Sequence, residues 1–298
     1  MTIRCIIDTD PGIDDAVAIL FALRHGGFDV AALTTVAGNI GLRATTGNAG
    51  RVAALAGRAV PVHPGAAAPL GREARPTEGI HGADGLGGVG LPDPLAQPSP
   101  EGAAEATARI LRDAPAGTVD LLCLAPLTNL ATLLEREPQA LRRVRRVVAM
   151  GGAVAEPGNM GGRREFNLAH DPEAAARVLA AGLPLTLIPL DATRRLRADR
   201  AYVAALRGDG AAASLAAADL IAAYFAGTVH QAAGAGSRPL HDPCVPLLAL
   251  RPDLFRVEER GLAVGDDGTL LPGPHPVRVA MGLDAPALLA LLREGLAR

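Results

Sequence analysis

The chain has no tryptophan, and only two tyrosines and five phenylalanines among its 298 residues. So few rings leave nothing on which single-stranded nucleic acid could stack. Lysine is absent too, so every cationic side chain other than histidine is an arginine. With abundant Ala, Gly and Pro, this reads as GC-rich coding more than as a functional choice. No excess of either charge is present: the net charge is −2, which gives no electrostatic case for nucleic acid or an anionic membrane as partner. The three cysteines, Cys5, Cys123 and Cys244, lie far apart. They match no zinc spacing and no disulfide framework is expected. No run approaches the ~20 apolar residues that a membrane span needs. Only a short apolar run containing Arg4 precedes Asp8, so no secretory leader is expected. Together these absences predict a reduced, soluble, cytoplasmic protein.

What is present is apolar: 49% of the residues are hydrophobic, enough for a sizeable core. No internal repeat and no linker emerges, so one domain over residues 1–298 is expected. Short β-like runs alternate with helical patterns, which predicts an α/β fold with an open, mostly parallel sheet and helices on both faces. Strands are expected at 3–8, 30–36, 60–63, 119–124, 144–150 and 185–189. Helices are expected from Asp14 to about Arg24, closed by Gly26-Gly27, then over 43–56 and 211–233, and again after Asp242. Residues 256–281 should form a hairpin around Gly265–Gly268. The run Arg142–Arg146 reads as a solvated strand edge. Asp8–Asp15, Gly38-Asn39, Leu124–Asn129 and Met150–Gly152 all fall at strand carboxyl ends, the edge where open α/β sheets bind ligands.

The segment Asp8-Thr9-Asp10-Pro11-Gly12-Ile13-Asp14-Asp15 has four aspartates in eight residues, wedged between an apolar strand and an apolar helix. Carboxylates crowded at the end of a buried strand raise one another's pKa unless a cation neutralises them. Hard oxygen ligands suit Ca²⁺ or Mg²⁺ rather than zinc. The competing reading for Asp14 and Asp15 is a cap favoured by the helix dipole. Asp242 invites the same alternative, as an N-cap of the helix that follows. His241 beside it suits acid chemistry near neutral pH. Asn159, Glu165 and Asn167 sit on or beside a Gly-rich loop and could grip several hydroxyls, as on a sugar. Asn39 belongs to the same class, and a loop histidine at His81 could reach an open site. Gly85–Gly90 matches G-x-G-x-x-G, but no strand precedes it and Pro92 and Pro94 follow, so dinucleotide binding fails on context.

These blocks, from Asp8–Ala16 through Gly38-Asn39, His81–Gly87, Ala125–Leu130, Met150–Gly152, Glu165–Asn167 and His241–Pro243, resemble the inosine-uridine preferring nucleoside hydrolases. The resemblance implies a nucleoside hydrolase-like fold with a Rossmann-like core, and Ca²⁺-dependent hydrolysis of ribonucleosides to ribose and free base. It implies Asp10, Asp15, Asp242 and the Leu124 carbonyl as metal ligands, Asp10 as general base and His241 as the leaving-group acid. Asp14, Asn39, Asn159, Glu165 and Asn167 match ribose-contacting positions, Met150 would lie beside the sugar, and His81 would face the base. Asp8 is left as a structural residue. The resemblance also implies a homo-oligomer, a dimer or a tetramer. Purine-specific relatives sandwich the base between tryptophans, which this chain lacks, so an inosine-uridine or pyrimidine-preferring type is expected. Tyr224, Phe225 and His230 are further candidates to touch the base.

Two other functions compete with this one. Asp8-Thr9-Asp10 could be the Asp-x-Asp of a haloacid-dehalogenase-like phosphatase, but the absence of lysine and the presence of Asp14-Asp15 count against it. A non-catalytic nucleoside or ribose sensor would not need Asp10 and His241 together.

Overall fold

The computed structural model describes residues 2–73, 80–226 and 236–298. The first strand, β1 (Ile3–Thr9), is apolar throughout its buried part and leads into α1 (Ile13–Arg24). There follow β2 (Phe28–Thr35), α2 (Leu42–Leu55), β3 (Val62–Pro64), α3 (Ala103–Asp113), β4 (Val119–Cys123), α4 (Thr128–Arg136), α5 (Pro138–Leu141) and β5 (Arg146–Met150). Next come α6 (Phe166–His170), α7 (Pro172–Ala180), β6 (Leu185–Ile188), α8 (Leu190–Thr193), β7 (Arg197–Asp199), α9 (Arg200–Asp209), α10 (Ala212–Ala226) and β8 (Ser237–Pro239). The chain ends with α11 (Cys244–Leu250), β9 (Phe255–Val264), β10 (Leu270–Pro272), β11 (His275–Leu283) and α12 (Ala285–Leu296).

Among the described residues, nine strands form one sheet in the order β10-β9-β11-β6-β5-β4-β1-β2-β3. Pairing is parallel from β11 through β3 and antiparallel only at the β10-β9-β11 edge. The expected hairpin is there, with the Gly265 N–H donating to the Thr269 carbonyl at 2.9 Å. Strands β7 and β8 make a separate two-stranded ribbon.

Alternation along β1 divides the core into two layers, because successive strand side chains point to opposite faces. Cys5 and Ile7 pack into the layer that holds α1, α2, α10, α11 and α12. Ile6 packs into the layer of α3, α4, α5 and α7. Beyond Asp14 and Asp15 in its first turn, helix α1 is apolar on every side, and it is buried from Ile13 to Leu23, as a helix enclosed between a sheet and other helices must be. The helix expected over 211–233 is described only to Ala226, and His230 and Gly234 lie outside the described residues.

The arginine run at 142–146 is a strand edge only partly solvated: Arg142 and Arg145 are exposed, but the run also serves a buried carboxylate. Arg145 and Arg146 both donate to the fully buried Asp120, at 2.6, 2.7 and 2.9 Å. Arg143 donates to the Leu111 and Ala114 carbonyls at the end of α3. A buried carboxylate on β4 needs those donors, a requirement the local sequence does not display. Asp120→Ala should therefore cost about 2 kcal/mol of stability, below the usual figure for a broken buried pair because both guanidinium groups keep some solvent. Asp120 pairs with Arg146 at the amino end of β5, opposite the edge that carries the site. Urea unfolding should show the loss with turnover retained, and an unchanged midpoint would contradict it.

Candidate active site

The carboxyl edge of β1, β4 and β5 opens into a cavity of about 400 Å³, a volume suited to a small molecule. Asp10, Asp14, Asn39, His81, Leu124 and Met150 line it, together with Asn159, Glu165, Asn167, His241 and Asp242. Asp15 lies directly behind. Residues up to 232 positions apart in sequence thus converge on one pocket, because the parallel strands β1, β4 and β5 all end there and the β7-β8 ribbon joins its wall.

The turn after β1 explains the crowding. Asp15 reaches back to its own helix start, its carboxylate accepting from the Gly12 N–H at 3.0 Å and the Thr9 hydroxyl at 2.7 Å. The capping role weighed for the pair is therefore real for Asp15, and it leaves the carboxylate inside the cluster as well. Asp10 Oδ2 accepts from the Asn39 N–H at 2.7 Å. The Asn39 amide donates to the Asp10 carbonyl at 3.2 Å and to Asp15 at 3.1 Å. Glycine permits this approach: a Cβ on Gly38 would stand 2.0 Å from Asp10 Oδ2, and one on Gly12 would stand 2.7 Å from His81 Nδ1.

Asp242 does not cap the helix it precedes; α11 starts after Pro243 without a side-chain cap. Its carboxylate instead joins Asp14 and Asp15, and one oxygen from each of the three lies within 4.8 Å of the others. All three are buried. Burial pushes the pKa of each upward, and the neighbouring aspartates push Asp15 and Asp242 further. Asp10 is likewise raised well above the usual range, first by burial and then by Asp15. Like charges this close in a dry site ionise together only beside a cation. The donor set, all carboxylate and carbonyl oxygen, fits a hard divalent ion. The tightest triplet thus contains Asp14, assigned above to the sugar, with Asp10 alongside.

The second half of the pocket comes from two loops. Glu165 caps α6, accepting from the Asn167 and Leu168 N–H groups, and also accepts from the Gly152 N–H at 2.8 Å. Asn167 donates to the Leu124 carbonyl at 2.7 Å and the Met150 carbonyl at 3.2 Å. A carbonyl has two lone pairs, so Leu124 retains capacity for a second partner. Asn159 accepts from the Phe166 N–H at 2.9 Å. The loop that carries it is anchored by Asp191, which accepts from the N–H groups of Val154, Ala155 and Glu156.

Both histidines face the cavity. His81 Nδ1 accepts from the Ile13 N–H at 3.1 Å, which leaves Nε2 as the protonated nitrogen. Burial lowers its pKa to about 4, so it is neutral at pH 7. Its ring stacks on Tyr224 with centroids 5.7 Å apart. His241 is held at both ends: its N–H donates to Asp14 at 3.2 Å and its Nδ1 lies 2.7 Å from the Thr193 hydroxyl. Phe225 lies off the cavity wall, beneath the Arg238 guanidinium.

Asp8 takes no part. Two residues along from Ile6, it shares that residue's face and accepts from Thr34 at 2.6 Å and Asn129 at 2.8 Å on the far side of the sheet. Burial raises its pKa to about 6. Sequence inspection missed Thr193, Arg194, Arg197 and Arg238, all of which line the cavity or touch a residue that does. An arginine at position 238, within a Gly-rich stretch and three residues before His241, was the available signal.

An open parallel sheet gathers buried carboxylates, amides and a histidine at its carboxyl edge, in a cavity sized for a small polar molecule. A profile described as inosine-uridine preferring nucleoside hydrolase matches residues 5–290, and the chain belongs to that family, hydrolases of the N-glycosidic bond. It is 36% identical over 274 residues to the pyrimidine-specific ribonucleoside hydrolase RihA of Salmonella paratyphi B, covering 92% of this chain and 88% of that one. It superposes on the plant nucleoside hydrolase PpNRh1 with a TM-score of 0.93 and 30% identity, covering 100% and 99% of the two chains. For the purine-preferring ribonucleoside hydrolase from Gardnerella vaginalis the TM-score is 0.92 at 25% identity, covering 99% and 98%.

Proposed function

We propose that this enzyme hydrolyses ribonucleosides of the uridine and inosine type, with pyrimidine preferred, using one calcium ion in a nucleoside-salvage role. The observation that carries this is the convergence of Asp10, Asp14, Asp15 and Asp242 with His241 and the Asn159–Asn167 loop on one cavity. The similarity to a pyrimidine-specific enzyme and the absence of tryptophan support the base preference. A cytoplasmic homo-oligomer accompanies this assignment by family resemblance; no described helix is long and apolar enough to cross a membrane.

The carboxylates of Asp10, Asp15 and Asp242 and the Leu124 carbonyl would hold the ion, with Asp14 at its edge facing the ribose. When bound, calcium would supply the positive charge that keeps these buried carboxylates ionised and would help to fix the ribose hydroxyls. Asn39, Asn159, Glu165 and Asn167 orient the sugar, with Met150 against its ring. Asp10 takes a proton from the attacking water, whose oxygen bonds to C1′ as the bond from C1′ to the base nitrogen breaks. The carboxylate-rich floor stabilises the ribosyl cation that develops, as in glycosidases. His241, with Nδ1 turned to Thr193, offers Nε2 to the departing base, and the neutral His81 offers its Nε2–H to a base carbonyl.

An Asp-x-Asp phosphatase requires its first aspartate in the cavity as nucleophile, whereas Asp8 is buried on the opposite face. Uridine, 2′-deoxyuridine and a phosphomonoester, assayed together, test the assignment. Uridine should release ribose, and the deoxynucleoside should be slower by about 10²-fold or more if 2′-hydroxyl contacts strengthen in the transition state. Equal rates on both nucleosides would contradict the geometry, and phosphate release without ribose would restore the phosphatase.

A further inference from the structure

Helix α8 is a single turn, Leu190–Thr193, that touches both halves of the pocket. It follows β6 at the carboxyl edge of the sheet, where the Leu190 N–H donates to the Gly152 carbonyl at 2.9 Å. Its Asp191 accepts from the N–H groups of Val154, Ala155 and Glu156, in the loop that leads to Asn159. Arg194, just past its end, donates to the Pro157 carbonyl at 2.6 Å and the Gly158 carbonyl at 3.1 Å in the same loop. In the other direction the Thr193 hydroxyl lies 2.7 Å from His241 Nδ1. The backbone reinforces that link. The Leu196 N–H donates to the Thr193 carbonyl at 3.1 Å, and the Leu240 N–H donates to the Leu196 carbonyl at 2.8 Å. One turn therefore fixes the sugar loop and the His241 segment in a common frame.

The Thr193 side chain is fully buried, and a β-branched residue has little rotamer freedom, so the backbone of α8 places its hydroxyl. The His241 backbone N–H on Asp14 at 3.2 Å fixes the main chain, but it leaves the ring free to rotate. The Thr193 oxygen supplies the missing restraint, because it can accept from Nδ1–H. As the bond from C1′ to the base nitrogen breaks, the base keeps the electron pair and takes the proton of His241 Nε2. Nδ1–H stays on the Thr193 oxygen before and after that transfer. A ring without this acceptor samples other orientations, and proton delivery slows with the fraction of time spent misaligned.

We propose that Thr193 is a positioning residue for leaving-group protonation, acting through His241 Nδ1. The proposal rests on the hydrolase assignment above and deepens it by naming what aims the acid.

Two ribosides separate this role from a structural one: uridine, whose base needs a proton to depart, and p-nitrophenyl β-D-ribofuranoside, whose phenolate leaves without one. Thr193→Val keeps the shape and removes the acceptor. It should lower kcat on uridine by about 10- to 100-fold, the scale of one hydrogen bond to a charged group, with KM little changed. The rate on the nitrophenyl riboside should stay near wild type, and Thr193→Ser should restore most of the uridine rate. His241→Ala should show the same split between substrates, and adding Thr193→Val to it should cost uridine nothing more. Equal losses on both ribosides, or additive losses in the double variant, make Thr193 structural and overturn the proposal. So does an unchanged uridine rate in Thr193→Val, and wild-type turnover still upholds the hydrolase in each case. Failure of the wild-type enzyme to release ribose from either riboside overturns the hydrolase assignment and the proposal with it.

Discussion

Asp10→Ala should lower kcat by roughly 10²–10⁴-fold, the scale of a lost general base. Asp10 sits at the end of β1 where the chain turns, and the Asn39 N–H fixes one carboxylate oxygen at 2.7 Å. The same bond leaves the second oxygen as the proton acceptor, so orientation is built into the fold before substrate arrives. Burial and Asp15 raise its pKa, and a bound cation would draw that pKa back down and favour the ionised form that can accept a proton. Asp10→Asn is the companion variant: it preserves volume and an oxygen but accepts no proton. Steady-state turnover of uridine, with calcium varied to saturation, separates lost basicity from weakened ion binding. Near-normal kcat in Asp10→Asn at saturating calcium would remove the base role from this residue.

Removal of divalent ions should abolish turnover altogether, and calcium should restore it better than magnesium. Asp10, Asp14, Asp15 and Asp242 are all buried, and in each the charged form is disfavoured by that burial. Without a cation the charged forms are disfavoured, which works against Asp10 as a base. A site of several fixed oxygens suits the larger ion, whereas magnesium demands near-octahedral geometry and gives up water reluctantly. Chelated enzyme should also melt at a lower temperature, because an ion that binds only the folded chain stabilises it by mass action. Turnover undiminished in excess chelator, with no change in melting temperature, would show that the carboxylates act without a metal.

Much of the fold was legible because its determinants are local. Apolar runs at strand length, Gly26-Gly27 at the end of α1 and the turn at Gly265–Gly268 each read correctly within a residue or two of the observed boundaries. Asp10, Asp14 and Asp15, crowded into one turn, and His241 and Asp242, adjacent in sequence, were likewise visible as groups, and the fold brings them to one cavity or to the cluster behind it. The exposed side of the arginine run was legible, but its pairing with Asp120 was not, because that carboxylate sits on a neighbouring strand.

By itself, then, the sequence determined the family, the parallel α/β architecture and the acidic half of the site, since each follows from residue order within a few positions. Only the tertiary structure decided which aspartates share a cluster. Alternation along β1 sends Asp8 to the far layer, while the bend at Pro11 and Gly12 turns Asp15 inward beside Asp242, 227 residues on. It also decided that Arg197 and Arg238 both reach the cavity wall. They arrive there through the pairing of β7 with β8 across some forty residues, and strand pairing at that separation leaves no periodic mark in the chain.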